Sequence, residues 1–229
     1  MTLLLTCEHG GNHIPNNYRS YFKNKDAVLN SHRGYDLGAL HLFSVLKEIA
    51  SYSKYSTTSR LVIELNRSLH HKHLFSAYTK SLSNTAKEQL IKEYYTRYRE
   101  EVTAEIKKRI TAQEFVLHIA VHSFTPILNG TERNCDIGLL FDSTKPNEKD
   151  FCRHFKQEIK KLDATINVRY NYPYLGKSDG FPTFLRKLFP KNYIGIELEV
   201  NQKFSNQNKF PNHLNETLLN ALKEVLFLK

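Results

Sequence analysis

Histidines, acids and arginines in this 229-residue chain sit beside short apolar runs, where a fold can bring them together. The run Leu3-Leu4-Leu5 leads into Glu8-His9-Gly10-Gly11-Asn12-His13. Imidazole and carboxylate groups bind zinc, and the glycines let the backbone bend so that a side chain reaches inward. The competing reading is a polar turn with surface histidines. A second apolar run, residues 116–121, ends at His122. Alone, such a histidine is more often a hydrogen-bonded structural residue. Paired with His9 from another strand end and one carboxylate, it leaves a fourth zinc position open for water. His118 lies four positions back on the same strand face and reads as a structural or supporting residue. Asp36 in Ser31-His32-Arg33-Gly34-Tyr35-Asp36 is a candidate for the carboxylate, with a helix N-cap as its other use and His32 as a rival ligand.

Arg60, Asn66 and Arg67 bracket a third apolar run. A guanidinium recognises a carboxylate through two parallel bonds, and a second can polarise a carbonyl oxygen. The alternative is ion pairing with Glu64 and other acids. Glu197 and Glu199 lie two apart in Ile194-Gly195-Ile196-Glu197-Leu198-Glu199-Val200 and so face one side of a strand. Buried carboxylates are costly without a metal or arginine nearby, which favours a functional role. His70, His71 and His73 lack a strand or helix frame to converge them and read as loop residues. Residues 176–180, with Lys177, Ser178 and Asp179, lack the spacing of a phosphate-binding lysine loop and read as a mobile loop near the site.

The elements that must position these groups follow from apolar periodicity. Strands are predicted at the first apolar run and at residues 61–65, 115–121, 137–141, 166–170 and 193–200. Helical spacing is predicted over 36–50, 85–111, 148–162 and 212–228. Alternating strands and helices predict an α/β fold with a mainly parallel sheet covered on both faces, in one domain spanning 1–229. In such folds ligands gather beyond the carboxyl ends of the strands. Glu8 and His9, Asn66 and Arg67, His122, and Glu197 all come at or near such ends.

Composition narrows the function. With 13 Tyr, 14 Phe, nine Gly and seven Pro, the chain can build a substantial core. The net charge of +10 raises nucleic-acid binding. The lysines are scattered, however, and residues 87–108 mix them with Glu88, Glu93, Glu100, Glu101 and Glu105, which reads as a solvated helix face. No apolar run reaches the roughly 20 residues of a membrane span. Residues 1–7 lack the basic start of a secretory signal. Cys7, Cys135 and Cys152 fit free thiols in a reducing cytoplasm. The expectation is a cytoplasmic enzyme without membrane or nucleic-acid partners, its oligomeric state left open.

Several segments resemble the N-formylglutamate amidohydrolase family. They are Cys7-Glu8-His9-Gly10-Gly11-Asn12-His13-Ile14-Pro15, His32-Arg33-Gly34-Tyr35-Asp36-Leu37-Gly38-Ala39, Ser59-Arg60-Leu61-Val62-Ile63-Glu64-Leu65-Asn66-Arg67, His122-Ser123-Phe124-Thr125-Pro126, Cys135-Asp136-Ile137-Gly138-Leu139, Asn171-Tyr172-Pro173-Tyr174 and Gly195-Ile196-Glu197. The resemblance implies a three-layer α/β fold like that of zinc-dependent exopeptidases and phosphorylase-hydrolases, with a mainly parallel or mixed central sheet. In the related aspartoacylases an Arg precedes an Asn-Arg pair, a strand-end His binds metal, and a Gly-Ile-Glu segment supplies the general base. Arg60, Asn66-Arg67, His122 and Glu197 are similar to these, and His9 matches the first histidine of a His-Gly-x-Glu motif. Asn12 stands where that motif has its Glu, so the carboxylate ligand is assigned to Asp36, with Glu8 and His32 as rivals. Some formylglutamate-type sequences carry Arg where this chain has Glu199.

The resemblance thus implies a zinc enzyme, or one using another divalent metal, that hydrolyses a small N-formyl or other N-acyl amino acid. His9, Asp36 and His122 would hold the metal. Glu197 would serve as base, Arg60 would stabilise the oxyanion, and Asn66 and Arg67 would clamp a substrate carboxylate. A zinc carboxypeptidase or another deacylase is the nearest rival reading. A non-catalytic, basic nucleic-acid-binding protein is the more distant one.

Overall fold

Side chains alternate between faces along a strand, and in this chain the alternation separates a wholly apolar core from one that carries acids and histidines. The computed structural model describes residues 1–227. In chain order the strands are β1 (Thr2–Cys7), β2 (Tyr52–Tyr55), β3 (Val116–Phe124), β4 (Ile127–Leu128), β5 (Thr131–Glu132), β6 (Ile137–Leu140), β7 (Val168–Tyr170) and β8 (Tyr193–Asn201). The α-helices are α1 (Asp26–Leu29), α2 (Ala39–Leu46), α3 (Asn84–Leu90), α4 (Arg97–Thr111), α5 (Pro146–Leu162), α6 (Phe181–Leu188) and α7 (Asn212–Phe227). Six strands form one mixed sheet in the order β2-β1-β3-β8-β6-β7, and β4 pairs with β5 in a separate hairpin. Strands β2, β1, β3 and β8 run parallel, whereas β6 is antiparallel to β8. Helices cover both faces, giving the three-layer α/β architecture expected from the alternating elements.

On one face Leu3, Leu5, Leu117, Ile119, Ile196 and Leu198 pack against Phe43 of α2, Phe155 of α5 and Leu218 of α7. On the other, Leu4 and Val116 join a core with Tyr98 of α4 and with Phe181 and Leu185 of α6. The register pairs Thr6 with Ala120 and His122 with Glu199, so Thr6, His118, His122, Glu197 and Glu199 share this second face. It becomes polar towards the carboxyl ends of the four parallel strands.

Residues 61–65 are not a strand. They run through turns, with Glu64 N–H donating to Leu74 O and the Thr79 hydroxyl donating to Val62 O. Their apolar side chains are buried because the loop packs down onto the second core. The place beside β1 goes instead to β2, whose alternating half-buried and exposed residues suit an edge strand. The helix predicted over 36–50 starts later, at Ala39, after Gly38 turns the chain at φ 81°. The predicted 85–111 helix is continuous but contains a π-helical stretch, Ile91–Thr96. Helix α6 has no counterpart among the predicted elements. Leu228, the predicted end of the last helix, lies outside the described residues. No helix among the described residues is long and apolar enough to cross a membrane.

Candidate metal centre and hydrolytic site

Three segments bring the site together. β1 ends at Cys7 and presents Glu8 and His9 at the sheet edge, while β3 beside it carries His122 two residues before its end. The third segment, the loop before α2, is pinned on both sides. Asp36 N–H donates to His9 O at 2.9 Å, and the Ser123 hydroxyl donates to Leu37 O at 2.7 Å. Asp36 Oδ2 consequently lies 3.3 Å from His9 Nδ1 and 2.8 Å from His122 Nδ1. Ligand atoms of His9, Asp36 and His122, all buried, lie within 4.8 Å of one another. Tetrahedral donors on zinc, bonded at roughly 2.0–2.1 Å, are about 3.3 Å apart. The spacing therefore fits a shared cation.

The ring nitrogens on the far side meet carboxylates. His9 Nε2 is hydrogen-bonded to Glu64, and His122 Nε2 lies 3.2 Å from Glu8 Oε2, close but out of line for a hydrogen bond. A carboxylate behind a ligating histidine fixes the ring and raises its basicity. Glu8 also accepts from the Tyr98 hydroxyl at 3.2 Å. Burial pushes the Glu8 carboxyl up, yet the adjoining His122 outweighs it and holds it at about 2. Burial works against a charged His122 as well, but Asp36 and Glu8 raise its pKa well above the ordinary range. For Asp36 and Glu64, neighbouring cationic groups likewise overcome burial and keep both ionised. So many buried acids around two imidazoles and one arginine make a strongly cation-attracting pocket.

A cavity of about 250 Å3 opens above this cluster. Its wall includes Arg60, Asn66, Arg67, Tyr174, Asp179, Glu197 and Glu199. Arg60 donates to Glu64 Oε2 through Nε and Nη2, at 2.9 and 2.6 Å, and to Asp36 Oδ1 through Nη1 at 3.1 Å. The ion pairing weighed against a catalytic Arg60 is thus present, although a guanidinium with five N–H groups keeps donors to spare. Asn66 lines the cavity, and its side-chain amide is engaged within the protein. Its amide donates to Glu197 Oε1 at 2.9 Å, and its carbonyl accepts Phe181 N–H, the first of α6, at 2.7 Å. Arg67 donates to the Asp179 carbonyl, and Asp179 in turn accepts from Ser68. The 176–180 loop is therefore part of the cavity rim and bonded to the Asn66-Arg67 segment.

Glu199 is the exception among these acids. It is 7% exposed, and its Oε2 has no hydrogen-bond partner. Burial, with Asp36 and Glu197 adding to it, raises its pKa from 4.5 to about 7 against the opposing pull of His122. An acid with a raised folded-state pKa takes up a proton on folding between those two values, so it costs stability as pH rises through that window. Glu199→Gln in chelator-treated protein should therefore leave stability at pH 4.5 nearly unchanged and raise it by roughly 3 kcal/mol at pH 8. Urea unfolding at both pH values measures this, and an equal shift at both would contradict the account.

Of the other residues singled out by sequence, His32 is exposed and does not join the cluster. Asn12 donates to Leu29 O and Asn30 Oδ1, tying down its own loop. His118 is bonded to Thr6 and Tyr193 below the site, as a supporting residue. Burial lowers its pKa to about 4, which keeps it neutral. The His71 and His73 rings lie 5.5 Å apart, tilted by 55°, outside the cluster. The pairing of Glu64 with Arg60 was weighed from sequence, but its bond to His9 was not anticipated. Nothing local marked Tyr98.

A family model described as N-formylglutamate amidohydrolase matches residues 1–205. The crystal structure of a gene product from Agrobacterium tumefaciens superposes with a TM-score of 0.80 at 25% identity, covering 98% of this chain and 91% of that one. The crystal structure of N-formylglutamate amidohydrolase from Ralstonia eutropha JMP134 superposes with a TM-score of 0.70 at 15% identity, covering 99% and 94%. No curated protein sequence matches the chain.

Proposed function

Since the chain belongs to the N-formylglutamate amidohydrolase family, we propose that it is a metal-dependent hydrolase of small N-acyl amino acids, N-formyl compounds such as N-formylglutamate foremost. The observation that carries this reading is the convergence of His9, Asp36 and His122 on one point at the floor of a cavity whose wall carries Glu197 and Arg67. Two imidazoles and a carboxylate suit zinc, and three protein ligands leave a position for catalysis. His9 Nδ1, Asp36 and His122 Nδ1 would hold the ion. Bound there, it would polarise the acyl carbonyl and make a water acidic near neutral pH.

The chain's own residues supply the rest. Glu197, oriented by the Asn66 amide, accepts the proton of the attacking water. As the C–N bond breaks, the same carboxyl returns that proton to the departing amine, giving a carboxylic acid and a free amino acid. Arg60, fixed between Asp36 and Glu64, offers its remaining N–H groups to the oxygen that gains charge. Arg67 meets the carboxylate of the amino acid at the cavity rim. Asn66 acts on Glu197 and on the start of α6, a positioning task.

A panel of N-formyl and N-acetyl amino acids and short peptides tests the reading. A methyl group is worth about 10- to 200-fold in a close-fitting pocket. We therefore expect kcat/KM for N-formylglutamate to exceed that for N-acetylglutamate by at least about tenfold, with activity lost to a chelator and restored by zinc. Removal of carboxy-terminal residues from peptides without deformylation would favour a carboxypeptidase. Salt-dependent nucleic-acid binding without amidase activity would favour the non-catalytic reading.

A further inference from the structure

A second cavity, of about 610 Å3, lies along α4, with Leu69, Tyr95, Thr103, Ala104 and Phe184 among its lining residues. Leu69 and Phe184 are each 46% exposed and give the groove an apolar wall. Arg99 lines the same groove and is only 6% exposed. Its guanidinium stacks on three rings, with Cζ 4.9 Å from the Tyr95 centroid, 4.2 Å from Phe181 and 4.7 Å from Phe184. Nη1 donates to the carbonyls of Leu65 and Arg67 at 3.0 and 3.5 Å. Among the described residues, Nε and Nη2 make no hydrogen bond, and no acid pairs with Arg99 within 4.0 Å. Of the other two buried arginines, Arg186 pairs with Glu148, whereas Arg133 donates to the Tyr174 hydroxyl.

We propose that this groove binds a small carboxylate with an apolar body, its headgroup on Arg99 and its body along Ala104, Thr103 and Phe184. A planar guanidinium with two adjacent unused nitrogens matches a carboxylate bidentately, and the low-dielectric walls strengthen the pair. The apolar floor accounts for a hydrocarbon or aryl body. Lys107 at the rim adds positive charge, and Glu100 beside it opposes an approaching anion, so Arg99 must supply the selectivity. The site is separate from the metal centre but close behind its wall. The carbonyls that Arg99 holds flank Asn66, and Phe181, whose ring lies against the Arg99 guanidinium, donates the first N–H of α6 to Asn66.

The chain has no tryptophan, so Lys107→Trp places a single reporter on the rim and removes the competing rim cation. Titrating that protein with octanoate, octanol and octylamine should give a saturable emission shift with octanoate, and binding at least about tenfold weaker for the other two. Adding Arg99→Met should abolish the headgroup preference. Adding Thr103→Phe, which fills the groove without touching the guanidinium, should remove the shift for all three. No saturable shift up to about 10 mM octanoate, or equal affinity for the three headgroups, would overturn the proposal. Should Arg99→Met fail to fold, the headgroup comparison and Thr103→Phe still decide it.

Discussion

The His122→Ala protein is expected to lose stoichiometric zinc and at least about a thousandfold in kcat/KM, because the ion's contribution of several kcal/mol goes with it. His122 touches Asp36 Oδ2 at 2.8 Å with one nitrogen and approaches Glu8 at 3.2 Å with the other, so removing the ring strips two buried acids of a close partner. Breaking a buried charge contact of this kind costs about 3–5 kcal/mol. The fold must therefore be checked by circular dichroism before the metal result is read. His32→Ala provides the contrast. His32 comes from the same loop as Asp36 and rivalled it as a ligand on sequence grounds, yet it is exposed and outside the cluster. It should retain zinc and turnover. Elemental analysis of the two purified variants is the measurement. Full zinc occupancy in folded His122→Ala, or metal loss in His32→Ala, would overturn the ligand assignment.

The contrast between those two histidines shows how far the sequence could be read. The apolar runs before His9 and His122 and around Glu197 are continuous enough to read as buried strands with these residues at or near their carboxyl ends, and β1, β3 and β8 are adjacent parallel strands that place them so. Asp36 was undecidable locally, since a short acid before a helix serves equally as cap or ligand. What brings it to the cluster are hydrogen bonds to His9 and His122, 27 and 86 residues away. Residues 61–65 misled for a physical reason. An apolar run reports burial, and a loop pressed onto a core is buried as thoroughly as a strand. Edge strand β2 was missed for the converse reason, because the sequence Tyr-Ser-Lys-Tyr buries little and so leaves little apolar signal. Helix α6 starts directly after residues 176–180, which read as a loop, and carries Pro182 in its first turn, a place that proline suits. The bond from Asn66 to Glu197 joins partners 131 residues apart. Spacing alone could not have shown it.

Glu197 and Glu199 stand two residues apart on one strand face, both in the cavity wall, and either could in principle take the proton from the attacking water. Acidity alone favours Glu199, since its pKa of about 7 is suited to a base working near neutrality. Geometry favours Glu197. A base has to be aimed, and the Asn66 amide holds Glu197 Oε1 at 2.9 Å, whereas Glu199 Oε2 has no partner to orient it. Glu197→Gln keeps the size of the side chain and removes the proton acceptor, so kcat should fall by about a hundredfold to ten-thousandfold while KM and zinc content stay close to wild type. Glu199→Gln should cost less than about tenfold in kcat, its larger effect being on stability at high pH. Asn66→Ala provides a graded case, because it leaves the carboxylate present but unaimed. It should lower kcat by less than Glu197→Gln, and combining the two should add little, as expected for residues that act as a unit. Steady-state kinetics with metal analysis on the same preparations distinguishes these outcomes. If Glu199→Gln abolished turnover while Glu197→Gln spared it, the proton would have to pass through Glu199, and the bond from Asn66 would be structural.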